Sequence, residues 1–516
     1  MKRDLGAPVR TAANASPAIG PKPDRARVLA FAGVVSIAAA LLLIQALWRG
    51  HVARVVEYDD GVYFAAALEV ARGILPYRAF DFLQPPLITV WLLPFAFTAM
   101  HTSQRLGFEL ARWFTDLITV LDVVLVGVLM RGRRAARVAL AMAVTGLSIG
   151  FLQASQTILI EPYLVLWCLL GLLALRRRRR PGIASGEILA GICFGLAGAT
   201  KVWAIFPAVV VLVVLFSADR RRAYRFALAT GAAFILAVAP FVAADPVGAF
   251  HQVLFAQAQR GFSGESFAGR LGNLSGLAFL ARLSRGDAVL VTAVVAAAVA
   301  AALILWRRGA REGQTPKASE LALISRWSAL VVGLALLAAP EFYYHYGAFF
   351  APFLGLALGT AELPSSLAAR PLVPALAILA ALALVGDVQA MASPPISGVR
   401  PSPVPLVRGA TACVVSDQPA VLILANSFTG ARPGCPHVSD WLGTERVLVH
   451  GTSGVRADAT SAAFQAVLLR WVNKSQVVLL STINGGVGPK VEALLRSRFG
   501  SHWRPGLSAT LYRRRS

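Results

Sequence analysis

The sequence predicts an all-α polytopic membrane bundle of about 11 transmembrane helices, followed by a small C-terminal extracytoplasmic α/β domain. Three observations carry that prediction. Hydrophobic residues make up 57% of the 516-residue chain and charged residues 15%, with a mean hydropathy of +0.64, more apolar surface than a soluble core can absorb. Clusters of arginine alternate with the apolar runs. After Met391 a Pro/Ser-rich stretch, SPPISGVRPSPVP, opens a C-terminal segment of different character. A formal net charge of +24 would suit a nucleic-acid partner, but arginines placed between apolar runs read as cytoplasmic anchors, so the partner expected is the bilayer and not nucleic acid.

Taken in order, residues 1–27 are basic and rich in Ala, Pro and Gly, and are expected to form a disordered cytoplasmic tail. Residues 28–48 are long enough to span a bilayer, and no small-residue cleavage site follows, so they read as an uncleaved anchor. Further spans are expected at 108–130, 135–152, 162–175, 186–200, 202–217, 224–243, 286–306, 321–339, 347–361 and 371–390. The loops then carry Arg131, Arg133, Arg134 and Arg137, Arg176 to Arg180, Arg220 to Arg222, and Arg307, Arg308 and Arg311, all on the side of the basic tail. Counting 85–100, PPLITVWLLPFAFTAM, as another crossing would invert every later loop, so it is read as a re-entrant or surface-lying helix on the outer face. The transmembrane domain is thus 28–390, with an outer loop at 49–107, a linker at 391–408 and an extracytoplasmic domain at 409–516.

This count gathers the polar groups on one outer face. Asp59 and Asp60 stand together at the mouth of the bundle; either suits a helix N-cap, with Gly73 at the far end, but two adjacent carboxylates repel unless a cation or substrate offsets them. Glu161 precedes Pro162 at the start of a span, where the helix dipole favours it and where an ionisable group is also a site candidate. Lys201 ends a span on the side where basic residues are disfavoured; an anionic ligand or snorkelling accounts for it. In Pro340 to Tyr346, PEFYYHY, the tyrosines suit a membrane belt, whereas Glu341 and His345 at i, i+4 are expected on one helical face as substrate-binding candidates.

These residues carry a resemblance. The Asp59-Asp60 pair with Tyr63 three positions on, Pro85-Pro86 opening a lateral apolar helix, Glu161 at the mouth of a span and Lys201 near the end of the next resemble the GT-C superfamily, in its protein O-mannosyltransferase and lipid A aminoarabinose transferase branch, over roughly residues 28–220. The resemblance implies a glycosyltransferase of the cell membrane that takes a sugar from a polyprenyl-phosphate-linked donor to a cell-envelope acceptor on the outer face. It puts Asp59 in the place of the first-loop catalytic carboxylate. Chemically, an ionised Asp59 can serve as base, Lys201 with Arg72 or Arg78 can meet the charge on the leaving phosphate, and one base with in-line attack inverts the sugar. Asp60 and Glu161 would orient the acceptor or hold a divalent cation, a choice the residues leave open. The rival reading is a transporter or flippase of a lipid-linked sugar, against which no internal repeat is found.

In the C-terminal segment, TACVVSD, AVLILAN and QVVLLST read as buried strands and 459–473 and 489–499 as helices, a small α/β domain without a catalytic constellation. Cys413 and Cys435, both in this domain, are expected to form a disulfide in an oxidising compartment, while Cys168 and Cys193 lie in spans as packing residues.

Overall fold

The structure, a computed structural model, describes residues 25–176, 186–261, 265–275, 316–361, 404–408, 410, 412–449, 461–481, 487–503 and 509–515. The tail up to residue 24, the expected spans 286–306 and 371–390, and most of the linker lie outside the described residues.

Helices dominate: α1 (Arg25–Leu47), α2 (Asp59–Val70), α3 (Leu87–His101), α4 (Gln104–Leu129), α5 (Ala135–Gly146), α6 (Ile149–Ser155), α7 (Glu161–Arg176), α8 (Gly186–Thr200), α9 (Ile205–Ala218) and α10 (Arg220–Val242), then Pro316–Ala338 and Gly347–Thr360. Among the described residues, Arg25–Leu47, Arg220–Val242 and Glu320–Ala338 are long and apolar enough to cross a bilayer, and a fourth crossing results if α5 and α6 count as one span. That pair, expected as the single span 135–152, bends by 53°. The break falls at Ser148, whose hydroxyl accepts from the Phe151 amide and starts a new helix. α4 is long enough but carries Arg105, Glu109, Arg112, Asp116 and Asp122. The expectation of 11 crossings is therefore not reproduced by length and composition, and a largely helical chain is what stands.

Polarity along the helices sorts the charges. α7 begins at Glu161 and ends at Arg176, which donates to the Leu129 and Arg131 carbonyls at the end of α4. α8 runs back from Glu187 to Lys201, and Glu187 together with Glu320 binds Arg222 at the start of α10. Among the described residues, Arg131, Arg176 and Arg222 thus sit at the opposite ends of α7 and α8 from Glu161 and Lys201, as the sequence pattern requires.

α2 has no polar face: Phe64, Ala65, Ala66 and Ala67 are all fully buried, because the helix is enclosed on several sides. One of its neighbours belongs to the C-terminal domain. There a four-stranded sheet has the order β1-β2-β4-β3, from β1 (Val414–Ser416), β2 (Val477–Ser481), β3 (Phe499–Trp503) and β4 (Ala509–Arg514). β1 and β2 are parallel, with Val414 opposite Val477; β4 is antiparallel to β2 and β3. The run AVLILAN, expected as a strand, is instead the helix Pro419–Leu424. Proline at the first helical turn favours that outcome, and a run buried on every side has no periodicity to betray its type. This helix meets α2 at Gly61, where an added Cβ would lie 2.4 Å from the Ala420 nitrogen. Gln104 in α4 clasps the Phe428 backbone, donating to its carbonyl (2.8 Å) and accepting from its amide (2.9 Å). Cys413 and Cys435 are joined, with Cα atoms 5.3 Å apart.

Candidate active site

Helix geometry divides the Asp59-Asp60 pair, since consecutive residues point about 100° apart. Neither side chain caps α2, whose cap position is Tyr58 without a side-chain bond. Asp60 turns into the protein, fully buried, and meets Arg112 Nη2 at 2.5 Å and the Thr157 hydroxyl. Arg112 also donates to the carbonyls of Val52 (2.5 Å) and Arg54 (2.7 Å), so this ion pair pins the segment before α2 to α4. Burial raises the Asp60 carboxyl above the usual range and Arg112 works against that rise. Asp59 faces a cavity, where Tyr63 donates to its Oδ2 at 3.3 Å.

The cavity lies where helix ends meet. Lys201 Nζ is 2.5 Å from Glu161 Oε1, and His345 Nδ1 is 3.1 Å from Glu161 Oε2. The Lys201 ammonium also sits over the rings of Trp203 and Tyr346. Its first partner is therefore a protein carboxylate, although Lys201 itself still lines the cavity. Residues 340–343 are not helical and Tyr344–Tyr346 is a single 3-10 turn, so the expected shared helical face of Glu341 and His345 does not exist. Pro340, which lacks a backbone N–H to continue the preceding helix, comes before the turn, and the chain instead sends Glu341 to Arg260 (2.6 Å) and His345 to Glu161. Tyr343 donates to Glu341 Oε2 at 2.9 Å. Glu57, beside Asp59, accepts from Tyr344 at 2.6 Å; burial and the Asp59 charge both raise its carboxyl.

Arg72 and Arg78 do not join this cavity. Both are exposed, and Arg72 donates to the Ala431 carbonyl at 3.3 Å. The cations that do line it besides Lys201 are Arg260 and Arg446. Arg260 could have been found by the reasoning applied to Lys201, a basic residue on the side where such residues are disfavoured. Arg446 and Asp440 come from the C-terminal domain, which the sequence had offered as lacking any such constellation. Asp440 accepts from Tyr58 (2.9 Å) and, as N-cap of the helix Trp441–Leu448, from the Gly443 amide (2.7 Å). Burial pushes its carboxyl up to about 6, the Gly443 bond opposing and the Asp59 charge adding to that rise. Nothing in its sequence context marks Asp440 as more than a helix cap.

A divalent cation does not fit Asp60 and Glu161, because Arg112 holds the first and Lys201 with His345 the second. Among the described residues no group of three or more His, Cys, Asp or Glu side chains is placed to hold a metal ion.

A family model described as glycosyltransferase family 87 matches residues 82–340, half of the chain. The chain belongs to glycosyltransferase family 87. The matched region holds Glu161, Lys201 and Arg260, while Asp59 and Tyr63 precede it and the C-terminal domain follows it. No curated protein sequence matches the chain. In fold, this family 87 member is similar to ArnT from Cupriavidus metallidurans, solved bound to undecaprenyl phosphate, with 13% identity and a TM-score of 0.57 over 93% of this chain and 97% of that one. The apo state of the same ArnT gives 14% identity and the same TM-score and coverage. The resemblance to GT-C membrane glycosyltransferases is borne out, and the protein is a multi-pass membrane protein of that class.

Proposed function

We propose that this family 87 protein transfers a hexose or pentose from a polyprenyl-phosphate-linked donor to a hydroxyl of a cell-envelope glycan, lipid or protein, in a cavity on the outer face of the membrane. The observation that carries the reading is the placement of Asp59: it shares one cavity with Lys201, Arg260 and Arg446, whereas Asp60 beside it is consumed by Arg112. An undecaprenyl phosphate bound to the similarly folded ArnT supports the donor class.

In this reading Asp59 accepts the acceptor hydroxyl proton as the oxygen attacks the anomeric carbon. The bond from that carbon to the phosphate oxygen breaks, and polyprenyl phosphate departs with the electron pair. Its growing negative charge is met by Lys201 and Arg260, which are already in place and desolvated. One displacement inverts the anomeric configuration. Tyr63 orients Asp59, while Glu161 and Glu341 hold the cations and His345, which also lines the cavity, holds Glu161. The basic helix ends opposite the cavity stay in the cytoplasm with the N-terminus; the disulfide-bearing domain 409–516 lies outside. Belonging to a glycosyltransferase family favours transfer over lipid flipping.

The test is to supply the purified protein, in lipid discs, with polyprenyl-phosphate-linked sugars and an envelope extract. Polyprenyl phosphate release coupled to a product of inverted anomeric configuration is expected. Retention of configuration would reject the single-displacement scheme, and no release from any such donor would reject the donor class.

A further inference from the structure

One wall of the cavity is supplied by the C-terminal domain, and it carries a cation. Arg446 projects from the last turn of the helix Trp441–Leu448, which Asp440 starts at the cavity and the buried Trp441 and Leu442 anchor in the domain. Its Nη2 reaches the Tyr343 hydroxyl at 3.2 Å and lies 3.6 Å from Glu341 Oε1, while Arg260 Nη1 meets the other oxygen of Glu341 at 2.6 Å. Two guanidinium groups from different domains thus converge on one carboxylate at the cavity wall. Arg260 Nε is buried with no hydrogen-bond partner among the described residues, a donor held ready beside that wall. Paired planar forks match the several oxygens of a phosphate better than a single ammonium does.

We propose that Arg446 is a donor-binding residue, which with Arg260 holds the phosphate of the polyprenyl-linked donor and makes the C-terminal domain part of the catalytic centre. This rests on the donor class proposed above and assigns one of its contacts to a domain outside the family-matched region. The domain does so as a fixed wall: Ala420 against Gly61, Gln104 on Phe428 and Tyr58 on Asp440 hold it along α2 and α4.

Binding of undecaprenyl phosphate to the full chain in lipid discs tests this. Arg446→Met should weaken binding by about 10-fold or more, the range for a lost charge-assisted bond, and raise KM for the donor without changing KM for the acceptor. Arg446→Lys should keep part of the affinity. Arg496→Ala, which removes an exposed cation of the same domain outside the cavity lining, should leave affinity within about twofold. Phosphatidic acid in the discs controls for lipid phosphate in general, and should show no dependence on Arg446. The proposal is overturned if Arg446→Met binds like wild type, if Arg496→Ala loses as much as Arg446→Met, or if phosphatidic acid shows the same dependence. Failure of the wild type to bind undecaprenyl phosphate at all would instead remove the donor class, and this contact with it.

Discussion

Asp59 and Asp60 are neighbours in the chain and occupy two regions of opposite character. The Asp60 region is closed: a carboxylate with no exposure pairs through Oδ2 with an arginine 1% exposed and with a threonine hydroxyl, and the arginine also donates to two backbone carbonyls. The Asp59 region is open, with Lys201, Arg260, His345 and the C-terminal domain's Asp440 and Arg446 lining the same cavity as Asp59. The difference teaches that a pair of carboxylates at a membrane helix end can divide its labour, one fastening the helix so that the other is held in position.

The sharpest way to break the comparison is at the fastening. Asp60→Asn strands the Arg112 charge in a closed site, so a loss of about 3 kcal/mol or more in unfolding free energy is expected, read as a large drop in Tm. A variant with unchanged Tm would mean that the Asp60 region is not closed. Next comes Gly61→Ala: its new methyl meets the Ala420 backbone, which cannot move away as a flexible side chain would, and overpacking of this kind costs about 1–3 kcal/mol. Faster proteolysis of the C-terminal domain should accompany that loss.

Titration sharpens the comparison further. Asp440 holds its proton up to about pH 6 in the fold and only to the ordinary carboxylate value when unfolded. Its contribution to stability is therefore complete below about pH 4 and is lost as pH rises through about 6. Glu57, also raised by burial, adds to the same trend. Thermal stability should accordingly fall over that window in wild type, and the slope should flatten in Asp440→Asn. The smallest effects belong to Arg72→Ala and Arg78→Ala, exposed and away from the cavity; each should change stability by about 0.5 kcal/mol or less and leave donor KM unaltered.

Much of the site was legible because membrane insertion makes charge expensive. Glu161 and Lys201 could be picked out as ionisable groups at helix mouths, and they prove to be partners. The separation of Arg176 and Arg222 from Glu161 and Lys201 along α7 and α8 was legible for the same reason. What could not be read was direction: nothing in the order Asp59, Asp60 says which of them points at Arg112, since that depends on the angle at which α2 packs. Contacts between distant segments were equally hidden, so the C-terminal domain read as lacking a catalytic constellation although it delivers Asp440 and Arg446 to the cavity. The helix Pro419–Leu424 was lost to a different cause, a buried run too short and too uniformly apolar to show a period.

The most direct measurement is the rate of sugar transfer by Asp59→Asn, made beside Asp60→Asn and corrected for the folded fraction of each. Asp59→Asn should keep the wild-type Tm and lose at least about 100-fold in rate, the lower end of what a general base supplies. Transfer by folded Asp59→Asn at the wild-type rate would contradict the account, because the open carboxylate would then have no part in the chemistry.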